Sequence, residues 1–185
     1  MMTNNIMIVG VGGQGSLLAS KLMGRLLIDE GYDVKVSEVH GMSQRGGSVV
    51  TYVRFGEKVY SPIITAGEAD LIISFEKLEA ARYAPFLKKG GRIVVNTQQI
   101  DPMPVIIGAA TYPENVLDEL TAKGVRVEAM DALALAEKYS TERDSKQLEA
   151  AKFGICKRIY DSGNRVKGKA EIFSYWEKKF DDFKL

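Results

Sequence analysis

The side chains best suited to chemistry lie in one short segment that runs from Glu38 to Gly47. It contains His40, the single histidine of the chain, which can exchange a proton near neutral pH, and Arg45, which can pair with a carboxylate or a phosphate. The alternatives are a packed structural histidine and an arginine in a solvated or inter-subunit ion pair. No second acid or base nearby in the sequence completes a nucleophilic triad. The catalytic residues are therefore unknown, with His40 and Arg45 as the candidates.

A glycine-rich segment, called the glycine loop below, occupies Gly10–Gly15 and has the spacing GxGxxG. Such a loop turns tightly, and its amides together with the start of the following helix favour a phosphate. Glu38 lies near the position at which a dinucleotide-binding site has the acidic residue that binds the ribose. The pattern predicts a phosphate-bearing ligand such as NAD or CoA, unless the loop serves only the strand–helix junction or faces another subunit. The candidate cofactor-binding residues are Gly10, Gly12, Gly13, Gln14, Gly15 and Glu38.

Charge and cysteine content limit the possible functions. The 185 residues include 25 basic and 24 acidic side chains, a net charge of +1, which argues against a nucleic-acid binder because such proteins need clustered positive charge. The single cysteine, Cys156, cannot form an internal disulfide or hold an iron–sulfur cluster, and we expect no metal site in this chain. The apolar run Ile6–Val11 is too short to cross a membrane. We expect a cytoplasmic protein that binds neither nucleic acid nor a membrane.

The elements that must position these residues follow a strand–helix–strand order. A buried strand over Ile6–Val9 leads into the glycine loop, and a helix runs from there to about Glu30, where Gly31 ends it. Asp33–Val39 is the next strand. A connection of this length predicts a parallel βαβ unit with a right-handed crossover.

The middle of the chain departs from a plain doubly wound pattern. Ser48–Phe55 and Lys58–Ile64 flank the short linker Gly56-Glu57 and predict a β-hairpin. Strands or apolar runs then alternate with helices, and from Ala132 onward the pattern is helical and charged. The strands and apolar runs are Ala69–Ser74, Arg92–Asn96, Val105–Ala109 and Val125–Met130, and the helices are Glu76–Leu87, Asn115–Lys123, Ala132–Tyr139, Leu148–Ile159 and Glu171–Phe180.

Together these elements predict an α/β fold. We expect a Rossmann-like three-layer arrangement with a mainly parallel sheet, a β-hairpin insertion and a helical C-terminal segment. We expect a single domain over residues 1–185, with an α/β core over 1–131 and a helical C-terminal appendage over 132–185.

Four segments resemble a known family, the gamma domain of the 2-oxoacid (pyruvate/ketoisovalerate):ferredoxin oxidoreductases. They are Ile8–Gly15, Glu38–Val49, Ser61–Ile64 and Gly67–Leu71. Within that family the chain resembles the small (beta) subunits of the indolepyruvate:ferredoxin oxidoreductases, because the Glu38–Gly47 loop is of the type found in the arylpyruvate branch.

The resemblance implies a complex that oxidatively decarboxylates a 2-oxo acid to its acyl-CoA and passes the electrons to ferredoxin. Thiamine diphosphate and iron–sulfur clusters would lie on a large partner subunit, with no cofactor bound tightly to this chain. The isolated chain would be inactive, and it would self-associate as a homo-oligomer. Two alternatives stay open, namely a stand-alone Rossmann-type nucleotide-binding oxidoreductase and a non-catalytic assembly or binding module.

Overall fold

The computed structural model describes residues 3–41 and 46–135. Arg45 and the predicted helices beyond residue 135 lie outside the described residues, and residues 132–135 are helical. A compact unit comprises residues 1–131, and residues 132–185 belong to a second unit. The single-domain organisation over 1–185 stays a prediction.

The described residues form six strands and four helices in α/β order. The strands are β1 (Asn4–Val11), β2 (Asp33–His40), β3 (Ser48–Gly56), β4 (Ala69–Ser74), β5 (Leu87–Asn96) and β6 (Arg126–Met130). The helices are α1 (Ser16–Asp29), α2 (Lys77–Tyr83), α3 (Met103–Ile106) and α4 (Val116–Ala122), with a 3₁₀ turn at Ala84–Phe86 after α2. None of the described helices is long and apolar enough to cross a membrane.

All six strands belong to one sheet, in the order β2-β3-β1-β4-β5-β6. The strands β1, β4, β5 and β6 are parallel, and β3 is antiparallel to both of its neighbours, β1 and β2. This mainly parallel sheet with flanking helices confirms the predicted α/β Rossmann-like fold.

The helices cover both faces of the sheet. Helix α1 packs over β1, β2 and β3, where a Cβ atom on Gly24 would lie 3.1 Å from Val36 Cγ2. The opposite face carries the main core cluster, which joins Met7 of β1 to Ala80 of α2 and Leu120 of α4. Val36 lies in register with Ile6 of β1, and Ile6 and Met7 point to opposite faces of the sheet, so α1 and α2 lie on opposite faces.

The first two strands are parallel, as predicted for a βαβ unit, but they are not neighbours, because β3 lies between them. In register, Val36 of β2 pairs with Val53 of β3, which pairs with Ile6 of β1. The burial of the two strands explains the order. Most of β3 is buried, whereas β2 alternates polar and apolar residues and is only partly covered. The more apolar strand therefore takes the interior position and the more polar one the edge.

The prediction of a β-hairpin around Gly56-Glu57 was wrong. Both edges of β3 are already paired with β1 and β2, so a strand over 58–64 has no partner edge, and Pro62 lacks an amide donor. The segment instead runs as an extended loop whose carbonyl oxygens at Ser61 and Ile63 accept hydrogen bonds from Arg54 Nη1. The antiparallel hairpin of this fold is one strand earlier, between β2 and β3.

Two further predicted segments differ from the structure. The helix after β4 ends at Tyr83, since Pro85 converts its last turn to a 3₁₀ turn, and β5 begins at Leu87 rather than at Arg92. Val105–Ala109 is not a strand. Pro102 and Pro104 begin the short exposed helix α3 there, and a turn follows it. By contrast, β4, β6, α1 and α4 match their predictions to within two residues at most.

Candidate functional site

The site candidates surround the carboxyl ends of β1 and β4. These parallel neighbours are followed by α1 and α2, which lie on opposite faces of the sheet. In α/β proteins such a topological switch point leaves a crevice between the strand ends, and ligands bind there. The glycine loop begins at the last two residues of β1, and Phe75 follows β4, so the predicted cofactor-binding glycines lie at this crevice.

The side chain of Gln14 fills the crevice. Its Oε1 atom accepts a hydrogen bond from Val11 N at 2.7 Å, and its Nε2 atom donates to Phe75 O at 3.0 Å and to Gln98 Oε1 at 3.0 Å. One carboxamide therefore links the ends of β1, β4 and β5. Gly10 has a matching role, because a Cβ atom there would lie 2.9 Å from Gln14 Oε1 and 3.1 Å from Phe75 Cβ.

Gly12 of the loop contacts the end of the β2–β3 connection. Gly12 N donates to Gly47 O at 2.8 Å, and Gly46 N donates to Gly12 O at 3.4 Å. Gly15 adopts a φ of 87° directly before α1, which favours glycine. The two predicted segments are therefore in contact. The amides of Val11 and Gly12 bond within the chain, so a pyrophosphate cannot use them in this conformation.

Glu38 does not reach the glycine loop. It lies on β2, with β3 between it and β1, so the two strands are about 10 Å apart at the usual strand spacing. Its carboxylate accepts a hydrogen bond from Thr51 Oγ1 at 3.4 Å. A dinucleotide site places the ribose-binding acid on the strand next to β1. Because β3 lies between β2 and β1, Glu38 is not in that position, and its predicted place at a ribose was wrong.

His40 ends β2 at the same edge of the sheet as the glycine loop. It is exposed, its Nδ1 atom lies 3.1 Å from Gly41 O, and in register it follows the row His40–Val49–Gly10 across three strands. No other side chain with a titratable group bonds to it among the described residues. The catalytic candidates His40 and Arg45 thus stay predictions.

Sequence reasoning missed a buried carboxylate next to this site. Glu79 of α2 is only 4% exposed, and its oxygens accept hydrogen bonds from Ser48 Oγ and from Arg82 Nε, the latter at 3.0 Å. Tyr83 OH lies 3.3 Å from Ser48 Oγ. Ser48 is the first residue of β3 and pairs in register with Val11. The one available signal was the spacing Glu76-x-x-Glu79 at a helix start, which is typical of a cap rather than of a site.

A second buried carboxylate, Glu76, caps α2 and holds the connection that follows β5. It accepts hydrogen bonds from Glu79 N at 3.0 Å, from Ile100 N at 3.3 Å and from Tyr112 OH. Burial, with the bond to Glu76, raises the pKa of the Tyr112 phenol well above its usual range. The phenol therefore remains a hydrogen-bond donor to Glu76.

Replacing Tyr112 with phenylalanine is expected to reduce the alkaline destabilisation of the protein. In the unfolded chain this phenol ionises near pH 10, whereas the raised pKa keeps it protonated in the folded chain. Its contribution to the free energy of unfolding is full below about pH 10 and is lost as the pH rises further. Urea unfolding between about pH 9 and 11 should show a shallower fall for Tyr112→Phe than for the wild type. Tyr60→Phe, which alters an exposed phenol, is the control, and equal slopes for Tyr112→Phe and wild type would contradict the assignment.

No group of three or more potential metal-binding side chains occurs within 3–41 and 46–135.

Comparison with known proteins identifies the family of this chain. Fold and site define an α/β domain of the Rossmann-like class whose switch point is filled by its own glutamine. A family model described as pyruvate ferredoxin/flavodoxin oxidoreductase matches residues 5–151. The chain therefore belongs to this family, as its sequence resemblance predicted.

The relatives agree with the family match. The indolepyruvate oxidoreductase subunit IorB of Thermococcus kodakarensis is 55% identical over 116 residues, which cover 63% of this chain and 56% of the relative. The subunit of the same name from Archaeoglobus fulgidus is 45% identical over 136 residues, covering 72% and 67%. The chain thus spans about half the length of the first curated relatives that it matches.

A solved structure supports the fold. The pyruvate oxidoreductase subunit PORC of Thermotoga maritima superposes with a TM-score of 0.53 at 15% identity, over 76% of this chain and 68% of that one. At this identity the similarity establishes the shared fold and leaves the activity to other evidence.

Proposed function

We propose that the chain is the small subunit of an arylpyruvate:ferredoxin oxidoreductase of the indolepyruvate type. The complex would catalyse CoA-dependent oxidative decarboxylation of the 2-oxo acid in the cytoplasm and pass the electrons to ferredoxin. The observation that carries this proposal is the 55% identity to indolepyruvate oxidoreductase subunits over more than half of the chain.

Thiamine diphosphate and the iron–sulfur clusters would be held by the large partner subunit. The described part of this chain offers no cluster of metal ligands, and its single cysteine cannot supply a cluster. Its own contribution would be a rigid edge, built by Gln14 and the glycine loop, that presents His40 and Arg45 to a substrate bound between the subunits. CoA is the substrate whose phosphates suit an arginine and backbone amides.

The surface that would contact the large subunit is an apolar knob, residues 102–110, at the same edge of the sheet. The knob holds its own shape, since Val105 N donates to Pro102 O at 2.8 Å and Ala109 N donates to Pro104 O at 2.8 Å. It exposes Ile106 and Ile107 to 66% and 68%. Exposed apolar groups on a rigid support are typical of subunit interfaces. They would also make the isolated chain self-associate.

The geometry weighs against a stand-alone nucleotide-binding oxidoreductase. Gln14 fills the crevice in which a dinucleotide would bind, and Glu38 is separated from it by β3. Calorimetry of the isolated chain with NAD, FAD and CoA should therefore show no saturable binding of NAD or FAD. An assembly module without substrate contacts would instead keep full turnover of the complex after His40→Ala and Arg45→Ala.

The substrate assignment is tested with the complex assembled from this chain and its large subunit. We expect kcat/KM to be highest for indolepyruvate and phenylpyruvate and much lower for pyruvate and 2-oxoglutarate, in assays with CoA and ferredoxin. A preference for pyruvate would contradict the arylpyruvate assignment while leaving the family membership intact.

A further inference from the structure

We infer that Glu79 is a positioning residue, which acts through Ser48 to hold residues 46–48 against the glycine loop. The inference builds on the proposed function, because the positioned residues adjoin the candidate CoA-facing groups. Glu79 itself would touch neither substrate nor cofactor.

The β2–β3 connection is held firmly at its return end. Gly12 contacts Gly46 and Gly47 through two backbone hydrogen bonds, and the next residue, Ser48, donates its hydroxyl to Glu79. At the other end, where the connection leaves β2, His40 and Gly41 are exposed. Residues 46–48 are therefore fixed to α2 through Ser48, whose hydroxyl bonds to Glu79 and lies 3.3 Å from Tyr83 OH.

The side chain of Glu79 does not make the contact that is usual for the third residue of a helix. In a capping box the third helical residue bonds back to the backbone of the cap residue. Here Glu76 accepts from Glu79 N, but the Glu79 carboxylate reaches across to β3 and to Arg82. Burying a carboxylate is costly, and charge-assisted hydrogen bonds are the stronger kind. The Glu79 carboxylate therefore bonds to Ser48 and Arg82 and does not cap the helix.

Losing this anchor should loosen the glycine loop and impair substrate binding more than turnover. Residues 46–48 would no longer be fixed relative to α2, and Gly12 would lose the partner that its amide bonds in the folded state. We expect KM for CoA to rise at least about fivefold in Glu79→Ala and Ser48→Ala, with kcat changed by less than about twofold.

The test compares Glu79→Ala, Glu79→Gln and Ser48→Ala with Glu76→Gln. The last variant also removes a buried carboxylate, at the cap position directly before α2, but the bonds of Glu76 go to Glu79 N, Ile100 N and Tyr112 OH and not to residues 46–48. The first readout is amide hydrogen exchange of Gly12 in the full-length isolated chain, measured by NMR relative to the core amide of Ile72. The second is KM and kcat for CoA in the assembled complex.

We expect exchange at Gly12 to be at least about tenfold faster in Glu79→Ala and Ser48→Ala, partly restored in Glu79→Gln, and unchanged in Glu76→Gln. Exchange at Gly12 that does not differ between Glu79→Ala and Glu76→Gln would overturn the inference, as would an unchanged KM for CoA in an active complex. The exchange measurement needs no partner. It therefore decides the positioning role even if the wild-type complex is inactive with 2-oxo acids, which would count against the proposed function alone.

Discussion

Replacing Gly10 with valine is expected to lower the free energy of unfolding by about 3 kcal/mol. The first added carbon would lie 2.9 Å from Gln14 Oε1 and 3.1 Å from Phe75 Cβ, and the two methyl groups would need still more space. Relief of the clash must move Gln14, which would leave Val11 N without its acceptor in a partly buried place. Chemical denaturation followed by circular dichroism measures the change.

Gly41→Ala is the matched control for Gly10→Val. A Cβ atom on Gly41 meets open space, so this variant should stay within about 0.5 kcal/mol of the wild type. If Gly10→Val were equally mild, the glycine would be serving loop geometry alone, and the account of Gln14 as the side chain that fills the switch point would be wrong.

Replacing Ile106 and Ile107 together with aspartate is expected to reduce co-purification with the large subunit by more than about tenfold. Both side chains are mostly exposed in the isolated chain, so their apolar surface becomes buried only on association. Charged groups at the same positions would have to be desolvated without a partner. Affinity purification from co-expressing cells measures the effect, and sedimentation of the isolated variant should show less self-association.

Ile28→Asp serves as the control for the knob. Ile28 is also an exposed isoleucine, but it stands near the C-terminal end of α1, at the opposite edge of the sheet. This variant should co-purify normally. Loss of association in Ile28→Asp, or normal association in the double knob variant, would place the partner surface elsewhere.

Local pattern predicted the elements that need only their own residues to form. Helix α4 lies between Asn115 and Gly124 as expected, and β4 is a mainly apolar segment, with Asp70 near its start, at the predicted residues. The position of β3 depends on competition between strands for the interior of the sheet. Pairing is a long-range choice, so the hairpin was placed one strand too late, and the pattern did not show that β3 lies between β1 and β2.

The site was predictable in position but not in its contacts. The GxGxxG pattern predicted a glycine loop between a strand and a helix, and Gly10–Gly15 does join β1 to α1. The role of Gln14 rests on partners 61 and 84 residues away, and that of Glu79 on a partner 31 residues away. Such contacts leave no periodicity in the sequence. For that reason the pattern indicated a dinucleotide site where the structure has a self-filled crevice.

The most direct test of the proposed function compares three preparations, namely this chain, its large subunit and the complex assembled from both. The assay is ferredoxin reduction with indolepyruvate and CoA. We expect no activity for this chain alone, a stable complex of the two, and indolepyruvate-dependent reduction that requires this chain in addition to the large subunit. Activity of this chain alone, or full activity of the large subunit without it, would contradict the proposed function.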